Sequence, residues 1–467
     1  MNASRYLVRF ASLAAGLALV VAAATVPTAG AGAAHFSGTL TDGATWIADV
    51  PTDWNGMLLL YSHGFGPPVA ADAPDTATAN ALLDRGYALA GSSYDPNGSW
   101  WALRSAVHDQ FETIGAVTSA ALPHQPDRVL AVGTSMGGLV SALEAQQGEG
   151  RIDGALSTCG IVAGAVHLNN YQLDGEYAIS KLLAPAQAIK LVGFSSPAEG
   201  AASGAELTAA AQQAQTTPQG RARLALAFAF LNATPAAPGI PTPAPNDADA
   251  VEAAQFASEV VAFPLLNFIQ FGRPWIEQSA GGNGSWTLGE DFAALLDKSP
   301  YNNVVRALYR QAGLDLKSDL AALTAGANIP ADPGAITSLQ QTSVPTGHLD
   351  VPELDLHTIH DPLVPVEQEN TYGALVRGTG SNSLLRQAYV DRWGHCAFTP
   401  AELVAGVEAL LHRVETGHWD SAAEPRKLNA FASRLGIGDA AFIQYQPPPL
   451  SGDNGPFDPA LNAVAPA

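Results

Sequence analysis

The chain has 467 residues, a formal net charge of −21 and a hydrophobic content of 47%. That is enough apolar material for a sizeable core; roughly 150 residues per domain would allow three domains, although single α/β domains run longer. The acidic balance leaves no basic patch to neutralise phosphates, which excludes nucleic acid and anionic membrane surfaces as partners.

Residues 1–34 stand apart from the rest. Arg5 and Arg9 form a short basic start, an apolar run extends from Ala11 to Val26, and small residues from Ala29 to Ala34 close the segment. A positive start, a hydrophobic middle and an A-x-A exit describe a secretory signal peptide. The alternative is a membrane anchor, which needs about 20 apolar residues; this run is alanine-rich and stops at Pro27. The expectation is a secreted protein (extracellular or periplasm-like) with no stable membrane insertion after cleavage. Export makes a disulfide between Cys159 and Cys396 chemically possible, and two buried free thiols are the alternative.

From residue 35 the pattern is strand, turn, strand. HFSGTLTDGATWIADVP places Thr-Asp-Gly between two alternating runs and predicts a β-hairpin. GMLLLYSHGFGPP is a short apolar run ending in a glycine-rich loop, suited to the centre of a parallel sheet. DTATANALLDRG predicts a helix capped by Asp75 and stopped at Gly86. A strand in YALAGSSYD, a helix over 102–121 and a strand in DRVLAVGTS follow. MGGLVSALEAQQGEG then predicts a helix and IDGALSTCGIVAG a strand. Strands alternating with helices imply right-handed crossovers and a mainly parallel sheet.

The alternation stops at residue 167. Segments such as GAELTAAAQQAQ, VEAAQFASEVVAF and NNVVRALYRQAG are helical, and the proline-dense ATPAAPGIPTPAPNDAD divides them. Residues 167–351 are therefore expected to form an inserted helical cap. The core is expected over 35–166 and 352–443. It resumes with a strand in VPELDLHTIHD, a helix in VEQENTYGALVRG, a strand in LLRQAYVDRWGHC and a helix in PAELVAGVEALLHRVETG. Residues 444–467 read as a Pro-rich tail, packed on the surface or loose.

Gly133-Thr134-Ser135-Met136-Gly137 is the chain's single G-x-S-x-G match, and it lies between a predicted strand and a predicted helix. That is the context of a nucleophile elbow, where a strained turn exposes a serine hydroxyl and the helix start offers amides to an oxyanion. A glycine-packed strand–helix joint is the plainer alternative.

At this point the chain resembles the α/β-hydrolase superfamily, over about residues 35–165 and 350–420. The resemblance implies a mainly parallel central sheet flanked by helices and a Ser, acid, His order for the triad. His63-Gly64-Phe65-Gly66 resembles the oxyanion loop, so the Phe65 and Met136 amides would hold the oxyanion, with His63 structural. Gly394-His395-Cys396, after the last long strand, makes His395 the base; His412 and His418 lie on or after the last helix. HTIHDPLVP ends a strand at Asp361, the acid. Asp355 and Asp391 lie within strands, and His357 and His360 flank the acid's strand. A histidine–cysteine pair also resembles the tannase and feruloyl esterase branch, and that resemblance implies a Cys159–Cys396 disulfide. In that branch the other cysteine directly precedes the serine, where this chain has Thr134.

Trp100 and Trp101, in the loop after a strand, and Trp393 beside the base are candidates for lining a substrate pocket; packing under the cap is the alternative. His357-x-x-His360-Asp361 is better used as the acid loop than as a metal site, so no metal and no cofactor are expected. The reading is a secreted serine hydrolase cleaving a small-molecule carboxylic ester through an acyl-enzyme. A peptidase or amidase with the same triad is the second reading; secreted aminopeptidases of this fold typically carry Gly-Gly-x-Gly where this chain has HGFG. A non-enzymatic binding protein on the same scaffold would need a broken triad.

Overall fold

A computed structural model describes residues 32–452, apart from 97 and 149. The expected signal segment falls on residues 1–34, of which 1–31 lie outside the described residues. Among the described residues no helix is long and apolar enough to cross a membrane.

The described strands form one nine-stranded sheet: β1 (Ala33–Thr39), β2 (Thr45–Pro51), β3 (Met57–Ser62), β4 (Ala88–Ser92), β5 (Arg128–Thr134), β6 (Gly154–Thr158), β7 (Glu353–His360), β8 (Leu385–Trp393) and β9 (Phe442–Ile443). Their spatial order is β1-β2-β4-β3-β5-β6-β7-β8-β9. The centre, from β4 through β8, is parallel, while β1, β2 and β9 run antiparallel to their neighbours. This is the α/β-hydrolase fold. Every residue of β3, MLLLYS, is buried, as a strand covered on both faces requires.

The core helices are α1 (Thr76–Leu83), α2 (Ala106–Ala120) and α3 (Met136–Ala145), then, after the helical segment described below, α13 (Gln368–Gly378), α14 (Pro400–Thr416) and α15 (Pro425–Leu435). Alternate strand residues serve opposite faces. Leu59, Leu130 and Leu354 pack with Leu82 of α1, Val404 of α14 and Leu428 of α15. Leu58, Leu60 and Val129 pack with Val117 of α2, Ala142 of α3 and Val376 of α13. Helix starts follow from side chains: the Asp75 carboxylate accepts from Thr78 N at 2.8 Å, and Thr399 and Glu402 form a reciprocal capping box on α14.

Between β6 and β7 the described residues form helices and loops, with one isolated β-bridge. The helices are α4 (Ala165–Leu183), α5 (Pro197–Ala214), α6 (Pro218–Leu231), α7 (Ala248–Phe256), α8 (Leu265–Ala280), α9 (Phe292–Lys298), α10 (Asn302–Ala312), α11 (Leu316–Gly326) and α12 (Pro333–Thr342). A π-helical turn, Ala257–Ala262, follows α7. Helix α6 is apolar on every face from Leu224 to Leu231, where it is buried continuously, and it packs against α4 and α10. The proline-dense stretch carries only the bridge between Ala237 and Ile240.

Three features depart from expectation. Helix α2 starts at Ala106 rather than 102, after a turn in which Ser105 N bonds Ala102 O. Helix α15 and strand β9 were not anticipated. Residues 444–452 are packed in part below the surface: Leu450 and Ser451 are buried, while Gln444, Gln446 and Pro449 are exposed. The Asn232 amide accepts from Ser451 N and donates to Ser451 O, and Asn370 donates to Pro447 O. Side-chain amides thus replace the hydrogen bonds that an extended backbone would otherwise lose on burial. Residues 453–467 of the expected tail lie outside the described residues.

Candidate active site

Ser135 sits between β5 and α3 with φ 61° and ψ −122°, a conformation that side-chain-bearing residues rarely adopt. Its neighbours show why it is tolerated. A Cβ on Gly133 would lie 1.8 Å from Gly137 O, and one on Gly137 would lie 1.8 Å from Ser62 O. Only glycine permits both approaches, so the turn presses directly on β3. Ser135 N bonds Thr158 O at 2.9 Å, which ties the turn to β6.

His395 Nε2 is 2.8 Å from Ser135 Oγ, and His395 Nδ1 is 2.7 Å from Asp361 Oδ2. The three side chains come from sequence positions up to 260 residues apart. Asp361 follows β7, and its Oδ1 accepts from Leu363 N at 2.8 Å and Val364 N at 2.9 Å. Burial pushes the Asp361 carboxyl up, but His395, His357 and the Val364 amide outweigh it and hold the group below its ordinary value. His395 belongs to the loop after β8, where Gly394 O accepts from Thr358 Oγ1 at 2.9 Å and Gly394 N bonds His360 O. Cys396 is joined to Cys159 by a disulfide with a Cα–Cα distance of 5.3 Å. Cys159 directly follows β6, so the covalent link ties the histidine loop to the strand beside the serine. These cysteines and His395 are the one grouping with metal-like spacing among the described residues, and the disulfide accounts for it.

Met136 opens α3 and is buried. Gly64 lies over the serine, where a Cβ would be 3.3 Å from Ser135 Cβ, and Phe65 follows it. His63 does not approach as a base. Its Nδ1 bonds Gly64 O, its ring stacks on Tyr94 with centroids 4.1 Å apart, and burial lowers its pKa. His360 pairs with Thr234 and Asp391, and His412 with Asp420.

A small, largely apolar cavity opens beside Ser135. The core contributes Phe65, Trp101, Ile161, Leu363 and Val364; the helical segment contributes Leu168, Gln172, Phe268, Ile269, Gly272 and Ile276. Of the three tryptophans singled out, Trp101 lines it. Trp100 lies beyond that lining, stacked on Trp275 at 4.9 Å and edge-on to Phe65. Trp393 Nε1 donates to Ser258 Oγ of the π-helical turn at 2.9 Å. Gln172 is the one amide side chain in the lining. The sequence offered no route to the residues from α4 and α8, because helical periodicity does not say how a helix docks. Behind Asp361 lies a buried group that was likewise missed: His357 Nδ1 bonds Glu369 Oε1, and His357 Nε2 bonds Val364 O.

No family model matches the sequence. Over 433 residues the chain is 29% identical to o-phthalyl amidase of Xanthobacter agilis, a match covering 86% of this chain and 92% of that protein. Among solved structures it is similar to an esterase from Aspergillus oryzae (13% identity, TM-score 0.43, 82% of this chain and 80% of that one). Feruloyl esterase B from Aspergillus oryzae also aligns (14% identity, TM-score 0.40, the same 82% and 80%). So does an esterase of Pyrococcus furiosus (11% identity, TM-score 0.39, 82% and 91%).

Proposed function

We propose that this protein is a serine hydrolase that cleaves small carboxylic esters through an acyl-enzyme. The observation that carries this reading is the unbroken chain of hydrogen bonds from Ser135 Oγ through His395 to Asp361. Ser135 Oγ attacks the substrate carbonyl carbon as its proton passes to His395 Nε2. Asp361 keeps the proton on Nδ1 and stabilises the imidazolium. The Phe65 and Met136 amides donate to the tetrahedral oxyanion. Collapse breaks the bond to the leaving alcohol, which takes the proton from Nε2. Water then attacks the acyl-enzyme by the same path, releasing the acid and restoring Ser135.

The cavity supports a substrate whose buried part is apolar and small, with Gln172 as the single amide available to it. The helical segment acts as a cap, which favours a soluble substrate over a polymer surface. Export by residues 1–34 fits the disulfide, since such bonds persist in oxidising compartments.

Amide cleavage is the second reading. The near-full-length identity to a protein called o-phthalyl amidase favours it, and the same triad serves an amine leaving group once His395 protonates it. Turnover of p-nitrophenyl esters of graded acyl length against matching anilides separates the two. Esters cleaved and anilides untouched supports the first reading; anilide turnover at comparable kcat/KM supports the second. In either case Ser135→Ala is expected to lower kcat by about 10⁴-fold or more and to abolish fluorophosphonate labelling. A variant that kept wild-type turnover would remove the whole assignment.

A further inference from the structure

His357 is fully buried within β7, four residues before the acid. Its two ring nitrogens both meet acceptors. Nδ1 lies 2.9 Å from Glu369 Oε1, on α13, and Nε2 lies 2.9 Å from Val364 O. A carbonyl can only accept. The Glu369 carboxylate already accepts from Gln387 Nε2 through its other oxygen at 2.6 Å. With Glu369 ionised, both ring nitrogens face acceptors and both must carry N–H, which is the imidazolium. The same Nε2 is 3.8 Å from Asp361 Oδ2, the oxygen that holds His395. Val364 completes a closed circuit, because its N–H donates to Asp361 Oδ1 while its carbonyl receives His357.

We propose that His357, as an imidazolium clamped between Glu369 and the Asp361 turn, is a positioning residue that aims the Asp361 carboxylate at His395 and keeps it charged. The inference rests on the serine hydrolase reading and goes beyond it. The turn alone would fix Asp361 Oδ1. What His357 adds is a cation 3.8 Å from Oδ2 and a lock on Val364, which also lines the substrate cavity.

The titratable groups around His357 are Asp361 after β7, Glu369 on α13 and Glu367 just before α13, with Asp355 of β7 against Glu369 and its carboxyl held well above the ordinary value by burial. Burial pushes the imidazole down, but Glu369, Asp361 and the Val364 carbonyl prevail and hold it above its ordinary value. Burial raises Glu367 to about 7, so it is mostly uncharged below that pH. The sign of the effect on catalysis follows. A cation beside the Asp361–His395 pair opposes a further proton on His395. Removing that cation should move the acid limb of kcat/KM to higher pH.

Two variants test this. His357→Gln loses the charge while retaining a donor for Val364 O. Glu369→Gln keeps the imidazole in place but removes the anion that holds its second proton. In folded protein, checked by thermal unfolding, His357→Gln is expected to lower kcat about tenfold with KM within about twofold, and to move the acid limb of kcat/KM up by about half a pH unit. Glu369→Gln is expected to move the same limb in the same direction with a smaller loss of kcat. Wild-type kcat and pH profiles in both variants would overturn the proposal. So would lost activity with an unmoved limb, which would make the role structural only. If neither variant folds, the ¹⁵N spectrum of the wild-type histidines decides. A buried ring protonated on both nitrogens at pH 8 supports the proposal, and a neutral tautomer at His357 sinks it. Ser135→Ala measured alongside separates the two readings. An inactive Ser135→Ala with normal His357→Gln and Glu369→Gln defeats only the inference, whereas an active Ser135→Ala defeats both.

Discussion

Ser135 and His395 are held by opposite means. Ser135 is fixed by the absence of side chains around it: Gly133 and Gly137 let three backbone segments meet where a single Cβ would intrude. His395 is fixed by bonds, namely the disulfide from the adjacent Cys396, the Thr358 hydroxyl on Gly394 O and the Asp361 carboxylate. A region held by close approach fails when atoms are added, and a region held by bonds fails when atoms are removed. The two halves of one site should therefore break under different substitutions and in different ways.

The largest effect is expected at the serine side. Gly137→Ala would drive a methyl into the Ser62 carbonyl at 1.8 Å, a backbone atom in the middle of the sheet that cannot move aside. The cost should be about 4 kcal/mol or more, enough to abolish folding. Circular dichroism and soluble yield read it directly, and a folded, active Gly137→Ala would mean the turn is not packed as described.

The base side should give a graded loss instead. Removing the link with Cys159→Ala and Cys396→Ser frees a connection spanning 237 residues, and losing a native disulfide typically costs about 2–5 kcal/mol. The sheet and the Ser135 turn remain, so folded protein is expected with a lower unfolding midpoint. Its kcat should fall more than its KM rises, because the loop carrying His395 has lost its anchor. Mass spectrometry without reduction checks the bond in the wild type. Unchanged kcat in the folded double variant would show that the hydrogen bonds alone hold the base.

This contrast also explains what could be read in advance. Glycine spacing is a local signal, so the Ser135 turn, the Asp75 cap and the two-sided burial of β3 were legible in short windows of sequence. Asp361 and His395 stood out as candidates once strand order was assumed, since each follows a strand end. The partners that hold the base side were not. Thr358, His357 and Glu369 look like ordinary strand and helix residues until β7, β8 and α13 are packed together. The helical segment was legible as helices and illegible as a wall: nothing in the periodicity of α8 says that Phe268, Gly272 and Ile276 face Ser135. The anchoring of Pro447 and Ser451 depends on Asn370 and Asn232, two amides far away in sequence.

The smallest effect should come where the two regions meet. Gly64 belongs to the loop after β3, and a Cβ there would sit 3.3 Å from Ser135 Cβ, 3.4 Å from Thr134 O and 3.7 Å from Ser135 Oγ. These are tight contacts rather than collisions, so a shift of a few tenths of an ångström relieves them. Ser135 cannot supply that shift, because Gly133 and Gly137 already confine its backbone. The 63–66 loop must retreat, and it takes the Phe65 amide with it. Losing one oxyanion donor outright costs about 10²–10³ in kcat, and a displaced donor costs less. Gly64→Ala is therefore expected to unfold within about 1 kcal/mol of the wild type and to lose roughly tenfold in kcat with little change in KM. The paired measurement is what matters. Lost stability with intact kcat would place the loop in the packing of the sheet. Lost kcat at constant stability would assign Phe65 to the oxyanion and show that the serine side, rigid as it is, leaves its adjustment to the loop above it.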